Sequence, residues 1–246
     1  MPRADYWEDL AAFMGRAYLR YSFTKGTEQE VGFLCEAMDL RPGQLVLDAG
    51  CGPGRHSREL AARGMTVVGL DLASRFLELA AEATDARFVR ADVTVPPFRP
   101  GRFDLVLCFC QGGFGLLGGG AEEQAALSAL AGLVRPGGRL ALTAFSAYYA
   151  FRWRQEAAGE TFDLGSGVHR EQAIVKSEAG AEERTFELVT TCFTPRELRM
   201  MAAAAGLVVD ALWSVEPGRW ARRDPEADLP ELLLLARRPE GSPVIG

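Results

Sequence analysis

LVLDAGCGPGRHSREL, residues 45–60, is the stretch that decides the fold of this chain. Its first three apolar residues predict a short strand buried on both faces, and the pattern from Arg55 onwards predicts a helix. Between them lie Gly50, Gly52 and Gly54. Glycine lets a backbone approach a ligand closely and take positive φ values, and the N-terminus of the helix offers free N–H groups to the same space. The stretch therefore predicts a ligand-binding corner.

Two acidic residues narrow the kind of ligand. Asp48 ends the apolar strand just before the first glycine, where a buried carboxylate is costly without a cationic partner. Asp71 follows a second apolar run, residues 65–70. An acidic side chain at this point can accept hydrogen bonds from the hydroxyls of a ribose. The pattern predicts a nucleoside site.

The order Asp-x-Gly-x-Gly-x-Gly resembles motif I of the class I S-adenosylmethionine-dependent methyltransferases, and Gly-x-Gly-Arg-His, at residues 52–56, resembles the glycine loop of the branch that acts on small molecules. Leu-Val-Arg-Pro-Gly-Gly-Arg-Leu, at residues 133–140, resembles the turn before the fifth strand of that family. The resemblance covers roughly residues 45–145. It implies methyl transfer to an N or O atom of a small-molecule acceptor, with S-adenosyl-L-methionine as cofactor and S-adenosyl-L-homocysteine as product.

Strands and helices alternate along the chain, which predicts an α/β fold with a Rossmann-like, seven-stranded, mostly parallel sheet and helices on both faces. The resemblance implies an antiparallel last strand. Residues 1–246 are expected to form a single methyltransferase domain, in which residues 1–40 are an N-terminal helical lid. Residues 146–191 are expected to form a small inserted antiparallel β flap over the acceptor site. Capping boxes are predicted at Thr27–Glu30 and Thr194–Glu197.

The resemblance implies a role for each carboxylate at the expected sheet edge. Asp48 would support the methionine ammonium and Asp71 the ribose. Asp92 would accept a hydrogen bond from the adenine amine, with Val93 packed on the ring; a solvated loop carboxylate is the alternative for Asp92. His56 would help to shape the pocket. The predicted cofactor-binding residues are Asp48, Gly50, Cys51, Gly52, Gly54, Arg55, His56, Asp71, Leu72, Asp92, Val93 and Phe109.

Acceptor residues are expected after the fourth strand and in the insert. Gln111 lies where the family places groups that face both the methyl group and the acceptor, and its amide can orient a polar group. His169 lies in the expected flap and titrates near neutrality, so it is the candidate base, with a surface role as the alternative. Gln111 and His169 are the catalytic candidates. The predicted substrate-binding residues are Tyr21, Gln111, Tyr148 and Trp153, for which packing or a surface position is the alternative.

Composition limits the other function classes. With 246 residues, 48% of them apolar, the chain can bury a full core, and its net charge of −6 offers no general basic surface for nucleic acid. No apolar run reaches the length of a membrane span, and the first residues are too polar for a signal peptide. We expect a cytoplasmic monomer or homodimer without nucleic-acid or membrane partners. Five cysteines and two histidines favour free thiols and no metal site.

Two other functions share much of this pattern. A nicotinamide-dependent Rossmann oxidoreductase would use the strand, the glycines and Asp71, although it has no use for Asp48. A non-catalytic module that binds S-adenosylmethionine would share the whole site. The sequence leaves both open.

Overall fold

The computed structural model of the chain describes residues 3–109, 113–117, 121–153 and 159–242. Ten strands form within these ranges. The strands are β1 (Leu45–Ala49), β2 (Thr66–Asp71), β3 (Arg87–Arg90), β4 (Phe103–Cys108), β5 (Val134–Ser146), β6 (Thr161–Asp163), β7 (Val168–Lys176), β8 (Glu183–Phe193), β9 (Val208–Val215) and β10 (Glu231–Arg237).

Helices connect these strands, and several of them begin or end where the sequence predicts. The first helix ends at Met14, because Gly15 follows with a φ of +44°, outside the right-handed helical region. The next residues form two 3-10 turns, Gly15–Arg20 and Ser22–Thr24. The α-helices are α1 (Arg3–Met14), α2 (Thr27–Ala37), α3 (Arg55–Ala62), α4 (Ser74–Ala83), α5 (Ala121–Leu133), α6 (Ala147–Trp153) and α7 (Pro195–Ala204).

Seven strands form the central sheet in the order β3-β2-β1-β4-β5-β10-β9. Strands β1 to β5 run parallel, and β10 is antiparallel to both of its neighbours, β5 and β9. The predicted seven-stranded, mostly parallel sheet with an antiparallel last strand is confirmed. The strand order reverses between β1 and β4, and open α/β sheets bind ligands at the carboxyl ends of strands beside such a reversal.

The central strands are buried on both faces, which explains their unbroken apolar sequences. On one face, Val46 packs in a cluster with Leu34 of α2. On the other face, Leu47 packs with Leu127 of α5. The sheet is thus a middle layer with helices on both sides, and its ligand-binding edge is held from two directions.

The insert forms an antiparallel sheet of β6, β7 and β8, which we call the flap. Gly167 donates its N–H to the carbonyl of Asp163, and this turn separates β6 from β7. The end of β8 pairs in parallel with β5 through Phe145–Cys192 and Ser146–Phe193. The flap therefore extends from the carboxyl end of β5.

One predicted capping box is confirmed and the other is wrong. At the start of α7, the Thr194 N–H donates to Glu197 at 2.6 Å, and the Glu197 N–H donates to the Thr194 hydroxyl at 3.2 Å. At the start of α2, Thr27 instead donates its hydroxyl to the carbonyl of Thr24 at 3.1 Å. Glu30 is completely buried, and its carboxylate contacts the side chains of Arg55 and His56 on α3. A buried cation competes better for this carboxylate than a backbone N–H at a helix end.

Candidate functional site

A cavity of about 240 Å³, the first cavity, opens at the carboxyl ends of β1 and β2. Gly50, Gly52 and Asp71 line it from the sheet edge, and Leu72 and Val93 add apolar walls. These five residues belong to the predicted cofactor set. The structure therefore brings the core of the predicted nucleoside site to one concave surface.

The glycines differ in what each position requires. The backbone of the loop is fixed to β2, because the N–H groups of Gly50 and Cys51 both donate to the carbonyl of Leu70, at 2.6 and 2.9 Å. Gly52 has a φ of +52°, and a Cβ added to it would have no atom within 4 Å, so this position faces open space. A Cβ on Gly54 would lie 2.7 Å from the Cβ of Ala80 on α4. Gly52 keeps the cavity open, whereas Gly54 allows α3 and α4 to pack.

Asp71 is the acidic residue that lines the first cavity. Its Oδ2 accepts the N–H of Gly52 at 2.8 Å, and its Oδ1 accepts the N–H of Ala73 at 2.9 Å. Burial raises the pKa of Asp71, and the charge of Asp48 adds to this rise, against the backbone hydrogen bonds from Ala73, Gly52 and Leu72. Each carboxylate oxygen has two acceptor positions. The loop thus fixes Asp71, whose carboxylate still has an acceptor position for a hydroxyl group.

Asp48 and Asp92 stand at the same sheet edge but do not line the first cavity in the described part of the chain. Asp48 is buried and accepts the hydroxyl of Ser57 on α3 at 2.6 Å. Asp92 accepts the N–H of Thr94 at 2.9 Å and its hydroxyl at 2.8 Å. Their roles toward the methionine ammonium and the adenine amine stay predictions.

Arg55 and His56 lie behind the glycine loop and contact α2 rather than the first cavity. Nη1 of Arg55 and Nε2 of His56 lie 2.8 and 2.9 Å from Oε2 of Glu30. Burial alone would raise the pKa of Glu30, but the hydrogen bond from His56 and the charge of Arg55 outweigh it and lower the pKa to about 2. Burial and the charge of Arg55 lower the pKa of His56. A neutral His56 therefore donates from Nε2 to the Glu30 carboxylate, and the expected role of His56 in shaping the pocket is an indirect one.

Three further members of the predicted cofactor set also lie outside the first cavity. Phe109 packs edge-on against His56, with ring centroids 5.4 Å apart. Cys51 is buried, and burial raises the pKa of its thiol well above the usual range. Gly54 packs against α4, as described above. These residues support the loop from behind.

The cover of the first cavity comes from the N-terminal segment. Trp7, Leu10 and Met14 of α1 line the cavity, and so does Tyr21, a predicted substrate-binding residue. The residues of α1 were not predicted as site residues. Their apolar spacing of three and four residues was the available signal, but this spacing does not tell a lid from a core helix.

A buried carboxylate that the sequence analysis missed fixes the loop after β4. Glu123 of α5 accepts the N–H of Gly115 at 2.8 Å, the N–H of Leu117 at 3.1 Å and the hydroxyl of Thr191 at 3.2 Å. Gly113 and Leu117 of this loop line the first cavity. Glu123 therefore holds one wall of the cavity and joins it to the flap.

A cavity of about 220 Å³, the second cavity, lies at the carboxyl end of β5 between α6 and the flap. His169 and Trp153 line it, together with Glu160 and Tyr149. Nε2 of His169 lies 3.3 Å from Oε2 of Glu160. The structure thus places His169 and Trp153 in a different cavity from Tyr21.

Tyr148 and Gln111 are the two predicted substrate-binding residues that remain. Tyr148 is 52% exposed and lines neither the first nor the second cavity, whereas the adjacent Tyr149 lines the second. Gln111 lies outside the described residues. Within the described residues, neither a group of metal-ligating side chains nor a helix of the length and apolarity needed to cross a membrane is present.

Comparisons with known proteins agree with this geometry. Residues 46–138 match the family model described as a methyltransferase domain. Demethylmenaquinone methyltransferase of Beutenbergia cavernae is 38% identical over 112 residues, which are 45% of this chain and 45% of that protein. 27-O-demethylrifamycin SV methyltransferase of Amycolatopsis mediterranei is 28% identical, over 96% of this chain and 89% of that protein. The chain spans about half the length of several of the relatives it matches.

Among solved structures, the CcbJ methyltransferase of Streptomyces caelestis superposes with a TM-score of 0.76. The two chains are 21% identical, and the match covers 93% of this chain and 97% of that chain. This likeness shows a shared fold. Residues 46–138 thus match a methyltransferase domain, and the chain has the class I methyltransferase fold.

Proposed function

We propose that this chain transfers a methyl group from S-adenosyl-L-methionine to an N or O atom of a small-molecule acceptor. The observation that carries the proposal is the first cavity, where Gly52 leaves open space beside the Asp71 carboxylate and the apolar Val93. The matched relatives are named as methyltransferases of demethylmenaquinone, of malonyl-[acyl-carrier protein] and of 27-O-demethylrifamycin SV, which supports the reaction class.

The residues at the sheet edge fit this cofactor. The Asp71 carboxylate would accept the ribose hydroxyls, and Leu72 and Val93 would flank the adenine. The backbone of Gly52 would lie along the methionine part, and Asp48 would balance the ammonium charge through the loop. When bound, S-adenosyl-L-methionine supplies a methyl group activated by a sulfonium charge.

The chain's contribution to rate is exclusion of water and alignment. Positive charge disappears during methyl transfer from a sulfonium, so an apolar surround favours the transition state over the charged ground state. Trp7 and Leu10 of α1, with Ala173 and Val175 of the flap, provide such a surround over the first cavity. Holding acceptor and methyl group in line supplies a further part of the acceleration.

Proton removal from the acceptor falls to His169 in this proposal. Its Nε2 lies 3.3 Å from the Glu160 carboxylate, which can orient the ring. Cys108 and Cys192 do not suit a covalent route, because burial raises the pKa of each thiol to about 12, and such thiols stay protonated. Residues 1–246 would act as a single domain with residues 1–40 as lid and residues 146–191 over the acceptor.

The test is methyl transfer by the purified chain. It is incubated with S-adenosyl-L-methionine labelled in the methyl group and with a panel of amines, phenols and carboxylates. The expected result is labelled product from at least one acceptor, with one S-adenosyl-L-homocysteine formed per product. Cofactor binding without transfer to any member would favour the non-catalytic binding module, and hydride transfer from NADH would favour the oxidoreductase.

A further inference from the structure

The first and second cavities share one face of the flap. Along β7, alternate residues point to the same side, and these residues line both cavities: His169 and Glu171 line the second, while Ala173 and Val175 line the first. Glu171 pairs across the flap with Leu188, which lines the first cavity. The two cavities therefore adjoin at this pair, under one continuous roof.

The order of the strands in the sheet also makes the two cavities neighbours. The first cavity lies at the ends of β1 and β2, the second lies at the end of β5, and β4 runs between β1 and β5. A molecule in the second cavity therefore lies next to a nucleoside in the first, across the end of β4. This is the arrangement that transfer of a group between two bound molecules requires.

The lining of the second cavity selects for positive charge. Glu160 and Glu171 present carboxylates, and His169 is the cavity's basic group among the described residues. Two arginines among the described residues are close in sequence to the lining residues: Arg170 is exposed on the opposite face of β7, and Arg152 lies 3.2 Å from Asp228. Neither lysine nor arginine lines this cavity in the part of the chain that the structure describes.

The other side chains that line the second cavity also suit a positively charged ligand. Tyr149 and Trp153 line the cavity with aromatic rings whose centroids are 6.4 Å apart, and aromatic rings attract cations. Ser146 and Thr190 add hydroxyl groups. Burial raises the pKa of Glu171, against a lowering by the neighbouring His169, and the charge of Glu160 adds to the rise. A bound cation would compensate the charge that these two carboxylates concentrate.

We propose that the second cavity is the acceptor subsite of this methyltransferase and that it binds a small molecule through a protonated amine, held by Glu171 and Tyr149. This inference rests on the proposed function and deepens it by naming the acceptor class. A basic compound is bound as its cation at this subsite, and His169 takes up the proton when the nitrogen itself is the acceptor.

The test is calorimetric binding of three probes of similar size and different charge, in the presence of saturating S-adenosyl-L-homocysteine. The probes are phenethylamine, a cation, 2-phenylethanol, which is neutral, and 3-phenylpropanoate, an anion. We expect phenethylamine to bind at least about tenfold more tightly than the other two. Glu171→Gln should remove this preference, since it keeps the shape of the side chain and loses its charge.

Glu187→Gln is the matched control, because Glu187 is exposed on the same flap and points to the opposite face. It should leave the preference for phenethylamine unchanged. Circular dichroism checks that each variant is folded, and Glu160→Gln replaces Glu171→Gln if the latter does not fold. Equal affinity for the three probes, tighter binding of the anion, lack of phenethylamine binding, or equal effects of the flap variants would each overturn the inference.

This design separates the inference from the proposed function. If S-adenosyl-L-homocysteine binds and the amine preference is missing, the amine subsite is wrong while the cofactor site stands. If S-adenosyl-L-homocysteine does not bind, the proposed function fails, and so does the assignment of the second cavity to a methyl acceptor.

Discussion

Nη1 of Arg55, at the start of α3, lies 2.8 Å from Oε2 of Glu30 on α2, with both side chains buried. The same carboxylate accepts His56 at 2.9 Å and the N–H of Gly218 at 3.0 Å. Glu30 thereby joins the N-terminal segment, the helix after the glycine loop and the chain between β9 and β10. The position of the glycine loop depends on this junction.

Replacing Glu30 with Gln should strongly destabilise the fold, because it removes the charge that compensates the buried Arg55. Breaking a buried ion pair from one side typically costs about 3–5 kcal/mol. Unfolding by urea measures the loss. Glu28→Gln, an exposed change on the same helix, is the control and should stay within about 0.5 kcal/mol of the parent. If Glu30→Gln lost no more unfolding free energy than Glu28→Gln, the junction at Glu30 would not be needed for the stability of the fold.

Because of Glu231, we expect the stability of the fold to depend on pH. Burial and the charge of Glu30 raise the pKa of this carboxyl to about 7, against Arg55, and its Oε2 has no hydrogen-bond partner among the described residues. Because the pKa of Glu231 is higher in the folded than in the unfolded state, the folded state binds the proton more tightly. Protonation of Glu231 therefore contributes to stability. This contribution is complete below the unfolded pKa and is lost as pH rises through about 7.

The free energy of unfolding at about pH 6 and about pH 8.5 measures this effect. The parent chain should lose stability between the two values, and Glu231→Gln, which cannot ionise, should lose less. An identical change in parent and variant would contradict the role of Glu231.

Two glycine variants separate binding from folding. Gly52→Ala and Gly54→Ala share the cost of a positive φ, about 1–2 kcal/mol. Only Gly54→Ala adds a clash, with Ala80 on α4, and should unfold at a clearly lower temperature. Gly52→Ala places a methyl group in the open space of the first cavity and should weaken binding of S-adenosyl-L-homocysteine. Thermal unfolding and calorimetry on both variants check the pair, and the reverse pattern would refute the assigned roles.

Glu123→Gln tests the wall after β4. The carboxylate accepts three hydrogen bonds, and an amide cannot accept at both of its ends, so we expect a loss of about 1–3 kcal/mol in stability. Cofactor affinity should fall as well, because Gly113 and Leu117 line the first cavity. Urea unfolding and calorimetry measure both, with the exposed Glu122→Gln as control. Unchanged affinity in Glu123→Gln would mean that the wall does not need this anchor.

The central sheet and the glycine loop could be predicted because their signals are local. Apolar runs that end in an acidic residue or a glycine, such as residues 45–50, specify a buried strand and its turn without knowledge of distant residues. The end of α1 could not be placed, because the apolar pattern continues to Tyr18 although Gly15 takes a positive φ.

The side-chain partners in the site were less predictable, because they depend on which elements pack together. Thr27–Glu30 satisfies the capping-box pattern, yet Glu30 binds Arg55, which is 25 residues away along the chain. The position of Asp48 and Asp92 at strand ends follows from the sequence. Their hydrogen bonds to Ser57 and Thr94 do not.

The separation of the acceptor candidates into two cavities also required the structure. His169 and Val175 are six residues apart on one strand and face the same side, but the register of the flap places one in each cavity. Periodicity alone identifies the shared face and cannot say what lies beneath it.

The most direct measurement is a calorimetric titration of the chain with S-adenosyl-L-homocysteine and, separately, with NADH. We predict that S-adenosyl-L-homocysteine binds, that NADH does not, and that Asp71→Ala weakens the former about tenfold to a hundredfold while the exposed Asp85→Asn does not. Binding of NADH in preference to S-adenosyl-L-homocysteine, or unchanged affinity in Asp71→Ala, would contradict the account.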